Sequence, residues 1–287
     1  MSYDIRRVGT GDDELRTLAK FLATAFGRKD LYVPEYLRWL YVENPVGGVL
    51  GMNAWHGDAL AGHYAVVPIE ASSESGVHRA ALSLNTATHS GHQGRGLFTR
   101  LAEETFALAK DDGVSEIIGI ANASSAPGFV RRLGFTACGP LEARLVWRVP
   151  RHGRDPARPS WRRSWRREWE PESLRWRVRN PRARYRVETR SGLRSILAPT
   201  GWPGLQVVLR MEIASGAVDL PDLPRADRAP LRLWLGRRAD AAAVGGVSIP
   251  MRLRPSPLEL IHRSLDERTP TPDPDRIHFE ALDFDAY

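Results

Sequence analysis

The chain of 287 residues contains one cysteine, Cys138, and three lysines, Lys20, Lys29 and Lys110. A lone thiol excludes an internal disulfide framework and a cysteine-based zinc site. No apolar run approaches the roughly 20 residues that a bilayer span requires. The opening Met1 to Arg7 is followed by no apolar stretch of the kind a secretory leader needs. A cytoplasmic, bacterial protein is the expectation. With lysine so scarce, arginine carries almost all the positive charge behind a net +7 and a pI near 10.0. That balance suits a polyanionic partner, yet a GC-rich genome produces the same arginine bias, and much of the charge falls between Arg151 and Arg194. A hydrophobic share of 42% and mean hydropathy of −0.36 fit a soluble globular chain with a core, long enough for one large or two modest domains.

The stretch from Asn85 to Leu101, N-T-A-T-H-S-G-H-Q-G-R-G-L-F-T-R-L, organises the first half. The apolar run Ala80 to Leu84 enters it, and an amphipathic helix from Leu97 to Lys110 leaves it. Between them lies the turn Gln93-Gly94-Arg95-Gly96. The first N–H groups of a helix lack intrahelical partners, its dipole favours negative charge, and glycine lets an anion approach the backbone. The geometry implies a phosphate site. It is neither a P-loop, since Gly-Lys-Ser/Thr is absent, nor a G-x-G-x-x-G dinucleotide loop, since position 99 is Thr.

The whole string T-H-x-x-x-Q-G-R-G-L resembles the acetyl-CoA loop of the GNAT N-acetyltransferases, roughly Q/R-x-x-G-x-G/A. Gln93 and Gly96 hold two of its places, and Phe98 replaces the last small residue. A second match follows: an apolar strand from Ser115 to Ala121, a turn at Asn122, then Phe129 to Phe135, similar to the family's Asn … Tyr-x-x-x-Gly-Phe element. The resemblance implies that backbone amides from Gln93, Gly94, Arg95, Gly96, Leu97 and Phe98 hold a pyrophosphate. It implies that Thr86, Ala87 and Thr88 pair with pantetheine as an added strand, that an N–H near Ala87 polarises the thioester, and that Asn122 contacts the cofactor arm.

Proton transfer is where the sequence departs from the family. The acidic slot on the fourth strand is Asn85, and the tyrosine slot is Phe129 or Val130. Tyr64, with His63, Glu70 and His89, remains as a substitute, His63 and Tyr64 pointing to opposite faces of their strand. The carboxylate of Tyr287 is a further candidate. His89 and His92 sit in no recognisable metal-ligand pattern, so no metal is expected.

Around these motifs the periodicities predict a strand Tyr3 to Val8, a helix capped by Asp12 or Asp13 and ended by Gly27, a helix Pro34 to Val42 carrying an aromatic cluster, a hairpin Val49 to Pro68, and a strand Val77 to Thr88 with Ser83, Asn85 and Ala87 on one face. The expected fold is α/β with a mixed α+β sheet, of the GNAT acyl-CoA N-acyltransferase type, over residues 1–150. An Arg/Pro/Trp-rich linker and helix occupies 151–172, with Trp161, Trp165 and Trp169 on one helical face and arginines on the other. Docking of that Trp face on a domain outweighs a nucleic-acid surface.

A second, smaller α+β domain fills 173–287. Leu174-Arg-Trp176 and Asn180-Pro181 echo Leu37-Arg-Trp39 and Asn44-Pro45, so a degenerate GNAT-like repeat without a cofactor loop competes with an unrelated extension. The ending, with Ser256 to His262 and Asp283-Phe-Asp285, resembles tails of GNAT proteins from sugar and polysaccharide clusters. The implied function is acetyl-CoA-dependent N-acetylation of a primary amine on a small molecule such as an amino sugar. The alternatives are an inactive acyl-CoA-binding scaffold and a nucleic-acid-associated protein. The second half either closes the acceptor pocket or builds a homodimer.

Overall fold

The computed structural model describes residues 2–147, 165–227, 229–238 and 244–284. Helix α1 (Asp12–Phe26) forms because Leu15, Leu18 and Leu22 recur on one face and all are buried. Its cap is not Asp12 or Asp13 but Gly11, whose N–H donates to the Glu14 carboxylate at 3.1 Å. Gly27 ends it in the left-handed region at φ 66°. Helix α2 (Pro34–Tyr41) starts on its proline. Strands β1 (Asp4–Arg7), β2 (Leu50–His56), β3 (Ala59–Ser73) and β4 (Gly76–Thr88) pair antiparallel in succession. Helix α3 (Leu97–Asp111) crosses over to β5 (Glu116–Ala121), parallel to β4. Then come α4 (Ala126–Leu133), β6 (Thr136–Pro140) and β7 (Glu142–Val146).

The second half supplies β8 (Trp165–Arg167), α5 (Pro171–Arg177), β9 (Arg186–Arg190), β10 (Leu193–Pro199), β11 (Leu205–Ile213), β12 (Leu231–Arg237), β13 (Val247–Ser248), β14 (Glu259–Ser264) and β15 (Ile277–Glu280). All fifteen described strands belong to one sheet. It runs across the expected boundary at residue 150. β14 inserts between β5 and β6, with Leu260 opposite Ile120 on one side and Gly139 on the other. In return β7 pairs with β12, Leu233 opposite Leu145. Alternation on β3 divides the core: Ala65, Val67 and Ile69 pack with α1 and α2, and Tyr64 and Val66 pack with α3 and α4.

The two echoed tripeptides meet. Trp39 and Trp176 stack with ring centroids 4.7 Å apart. Each indole N–H donates to the other residue's carbonyl at 3.0 Å. Asn44 accepts the Val46 N–H, and Asn180 accepts the Arg182 N–H in the same way. Equivalent groups make equivalent bonds, and both halves contain a parallel pair, β4 with β5 and β11 with β12.

The expected helix bearing Trp165 and Trp169 is corrected. Residues 165–167 form a strand joining β3 to β15. The four-residue tryptophan spacing suggested a helix, but unpaired backbone on β3 and β15 recruits the segment as a strand instead. Trp161, Arg162 and Arg163 lie outside the described residues. Trp165 and Trp169 are buried. Arg167 is buried as well, 3.8 Å over the Trp169 ring, and burial draws its pKa down to about 9. These three side chains therefore present no surface for a nucleic acid.

A buried carboxylate ties the halves together. Glu116 on β5 accepts His78 Nε2 from β4 and His262 Nε2 from β14, each at 2.8 Å, and the Trp165 indole N–H from β8. Burial pushes its pKa up, but the bonds from His262, His78 and Trp165 prevail and hold it at about 2. The same bond raises His78. A carboxylate lowered from 4.5 on folding stabilises fully above about pH 4.5, and the contribution is lost as pH falls toward 2. A raised histidine stabilises below its unfolded value of 6.5 and loses that contribution as pH rises through its folded pKa. Buried His63, neutral in the fold down to about pH 3, adds a loss that begins below 6.5. Urea midpoints should therefore fall on the acid side from about pH 6.5, more steeply below 4.5, and on the alkaline side as His78 loses its proton. Glu280, held at about 2 chiefly by His278 against the effect of burial, adds to the acid limb. Glu116→Gln should flatten the acid limb without removing it; an unchanged limb would refute the assignment.

Candidate active-site cleft

Parallel pairing of β4 with β5 covers Ala80–Ser83 against Glu116–Gly119. Beyond Ser83 the strands part: Ile120 and Ala121 keep their pairing to β14 but have no partner on β4. A bulge on β4 assists. Asn85 and Thr86 together oppose Tyr64 of β3, and Asn85 adopts φ 54°, a conformation that asparagine tolerates better than most residues.

The bulge corrects the expected alternation. Ser83 bonds to the Tyr64 hydroxyl on the α3 side, whereas Asn85 reaches Tyr32 and Tyr41 on the α1–α2 side. The opening is a cleft of about 570 Å³.

Asn85, Thr86, Ala87 and Thr88 line one wall. Gln93, Gly94, Gly96, Leu97 and Phe98 form its floor at the start of α3, and Asn122 stands opposite. Gly94 and Gly96 hold φ 73° and 75°, and a Cβ at either would meet nothing within 4 Å. Glycine is required there by backbone conformation, and the space in front of the loop is open. The first bond of α3 runs from Arg100 N–H to Gly96 C=O at 3.1 Å. The amides of Leu97, Phe98 and Thr99 thus precede any intrahelical bond and carry the positive end of the helix dipole. Gln93 closes the loop by donating to Thr88 C=O at 3.4 Å, and exposed Arg95 donates to Gly91 C=O.

The Asn122 side-chain oxygen accepts from Ser124 N, Ser124 Oγ and Ser125 N, fixing the turn into α4. Thr86 Oγ1 is buried without a hydrogen-bond partner. At the loop's outer end His92 bonds to the Tyr3 hydroxyl at 2.9 Å, with the rings of His56 and His89 close by. Desolvation, then these histidines and Arg95, hold His92 below its usual 6.5. Among the described residues no set of three His, Cys, Asp or Glu side chains could hold a metal ion.

Behind Asn85 runs a chain of bonds with one direction. Asn85 Nδ2 donates to Tyr41 Oη at 3.0 Å, Tyr41 bonds to His63 Nε2 at 3.0 Å, and His63 Nδ1 bonds to Asn53 Oδ1 at 2.7 Å. Burial pushes His63 down to about 3, so the ring is neutral. Its Nδ1–H donates to Asn53, which leaves Nε2 to accept the Tyr41 hydroxyl. Tyr32 and Asn53 went unremarked in the sequence. The usable signal was Asn53, a polar residue inside an apolar hairpin and directly across from His63.

Tyr64 does not serve as expected. It is fully buried among Phe98, Phe106 and Phe129, outside the cleft lining, and burial raises its pKa above the ordinary phenol value. Its alternation partner His63 faces away, as predicted, into the bonded chain. Glu70 lies near the far end of β3, across from Arg79. His89 is exposed and accepts from Gly91 N–H. Phe129 lines the cleft, and neither it nor Val130 offers a proton. Tyr287 lies outside the described residues. Burial pushes the Cys138 thiol up to about 11, so it is no nucleophile at neutral pH.

Parallel strands parting beside a bulge, with an open helix N-terminus in the gap, define a mixed α/β fold with a cleft suited to an anionic ligand. Residues 4–138 match the family described as the acetyltransferase (GNAT) domain. The matched segment, just under half of the chain, is what the chain shares with the GNAT acetyltransferases. A probable N-acyltransferase of unknown function from Enterococcus faecalis shares its fold at TM-score 0.64 and 11% identity, covering 94% of this chain and 74% of that one. A GCN5-related N-acetyltransferase from Kribbella flavida aligns at TM-score 0.60 and 14% identity, covering 91% and 71%. One from Anabaena variabilis aligns at 0.57 and 10%, covering 92% and 73%. No curated protein matches the sequence.

Proposed function

We propose that the chain is an acetyl-CoA-dependent N-acetyltransferase acting on a primary amine of a small molecule. The observation that carries this is the coincidence of two features at one point. β4 and β5 part immediately beyond Ser83 and Gly119, and the free amides of α3 open into the same gap. The residues present fit the co-substrate. The amides from Gly94 to Phe98 suit a pyrophosphate. The free edge of Thr86 to Thr88 suits the amide-bearing pantetheine arm as an added strand, and the orphaned Thr86 hydroxyl needs a partner of that kind. The amide near Ala87 is the candidate donor to the thioester carbonyl.

When bound, acetyl-CoA supplies the acyl group and a thiolate leaving group. The second half reads as a degenerate GNAT-like unit, supported by the reciprocal Trp39–Trp176 contact and the second parallel pair. A scaffold that binds acyl-CoA without turnover is the competing reading, favoured by Asn85 in place of an acid. Among the described residues no helix is long and apolar enough to cross a membrane.

Calorimetry with coenzyme A and thiol release from acetyl-CoA across an amine panel separate these readings. Thr86→Val should weaken coenzyme A about fivefold, the worth of one hydrogen bond, with an unchanged urea midpoint. Undiminished affinity would remove Thr86 from the site.

A further inference from the structure

We propose that the acceptor is a weakly basic amine, bound as its free base, on an aromatic or similarly planar apolar body. The inference rests on the N-acetyltransferase reading and names its substrate class.

The first support is the fixed direction of the buried chain. Because His63 is neutral and its Nδ1–H donates to Asn53, Tyr41 must donate to His63 and accept from Asn85. The Asn85 amide is thereby locked with Oδ1 turned toward Tyr32, whose hydroxyl donates to it at 3.3 Å, at the cleft wall. An amide oxygen accepts an N–H but does not take its proton. It holds an amine that already has its lone pair, and it cannot itself relieve an ammonium ion of a proton.

The second support is the charge around that oxygen. The ionisable side chains lining the cleft, among the described residues, are Arg132 of α4 and His92 of the phosphate loop. Facing Asn85 from α2 and β3 are Tyr41 and neutral His63. From the second half, Arg182 lies 3.7 Å over Tyr36 and 5.8 Å from the Tyr32 ring. The carboxylate on the loop that carries Tyr32, Asp30, is exposed and paired with Arg28. No carboxylate lines the cleft among the described residues, so its wall offers a polycation no ionic partner, and a neutral amine needs none.

The third support is shape. Phe26, at the end of α1, is 42% exposed and lines the cleft. It stacks on Tyr32 with centroids 5.3 Å apart and planes 19° from parallel. Leu84 and Ile120 complete an apolar wall. A planar ring seated there gains both burial and stacking.

In the reaction the amine nitrogen bonds to the thioester carbonyl carbon and the carbon–sulfur bond breaks. The proton shed by nitrogen ends on the departing sulfur, leaving an amide and a thiol. Asn85 Oδ1 holds the other N–H throughout, and no enzyme base is consumed.

The test uses the full chain, acetyl-CoA and thiol release with three probes: ring-substituted anilines, benzylamine and an aminoglycoside. For anilines, kcat/KM should stay flat from about pH 6 to 9, and for benzylamine it should rise tenfold per unit up to that amine's own pKa. The aminoglycoside should trail the anilines by about a hundredfold or more, a difference of roughly 2.7 kcal/mol. Phe26→Ala should raise the aniline KM about tenfold with kcat within twofold. Asn85→Asp, which adds a carboxylate, should raise benzylamine turnover at neutral pH and bring an enzyme pKa into its profile. Faster use of the aminoglycoside, or a benzylamine plateau set by the enzyme, overturns the inference and leaves the acetyltransferase reading standing. Coenzyme A binding with no turnover of any aniline also overturns it. A flat calorimetric trace with coenzyme A removes the underlying reading and the inference together.

Discussion

Gly96→Glu is expected to abolish coenzyme A binding, leaving a flat calorimetric trace at millimolar ligand. Two effects add. Gly96 caps α3 at φ 75°, where a residue with a Cβ costs about 1–2 kcal/mol. The new carboxylate would also stand in the open space before the Leu97, Phe98 and Thr99 amides, where a phosphate is expected to sit. Gly96→Ala separates the two effects. It carries the backbone strain without the charge, meets no atom within 4 Å, and should weaken binding about tenfold at most. Equal affinities for the wild type and the glutamate variant would show that the anion is held elsewhere.

Glu116→Ala should lower stability by about 3–5 kcal/mol, the effect of breaking a buried charged network from one side. His78, His262 and the Trp165 indole all donate to this carboxylate, and His262 and Trp165 are almost wholly buried. The thermal midpoint should fall by roughly 10 °C. Glu116→Gln should cost less. It keeps one acceptor, and its amide can meet a bare Nε2 on His262, whose Nδ1 has no partner and is free to carry the proton. Because the donors come from both halves, a single transition should persist in the alanine variant, at lower urea. A loss below about 1 kcal/mol would show that the carboxylate does not join the strands as described.

Local pattern was enough for much of the first half. The β2–β3 hairpin, the parallel β4–β5 pair and the Gly94–Gly96 turn follow from alternation, apolar runs and residues whose backbone freedom is decisive. What escaped the sequence depends on long-range contacts. Nothing in Ser256 to His262 announces that β14 lies between β5 and β6, since a buried strand has the same alternation wherever it docks. The four-residue spacing of the tryptophans suggested a helix, and partners far away in sequence overrode it at Trp165 to Arg167. The bulge at Asn85 is invisible until β3 fixes the register, and it then decides which face Asn85 joins. The bonded chain from Asn85 to Asn53 links β4, α2, β3 and β2, so no single window of sequence contains it.

The interleaved strands also bear on how the protein is made. Residues through Pro140 leave the ribosome with β5 and β6 lacking the strand that belongs between them, and Glu259 opens that strand only much later. At a synthesis rate of about 5–20 residues per second, the nascent chain carries two unsatisfied backbone edges for roughly 6–24 seconds. Such edges are templates for pairing with other chains. This enzyme therefore depends, for its yield in the cell, on whatever shields those edges until translation is nearly complete.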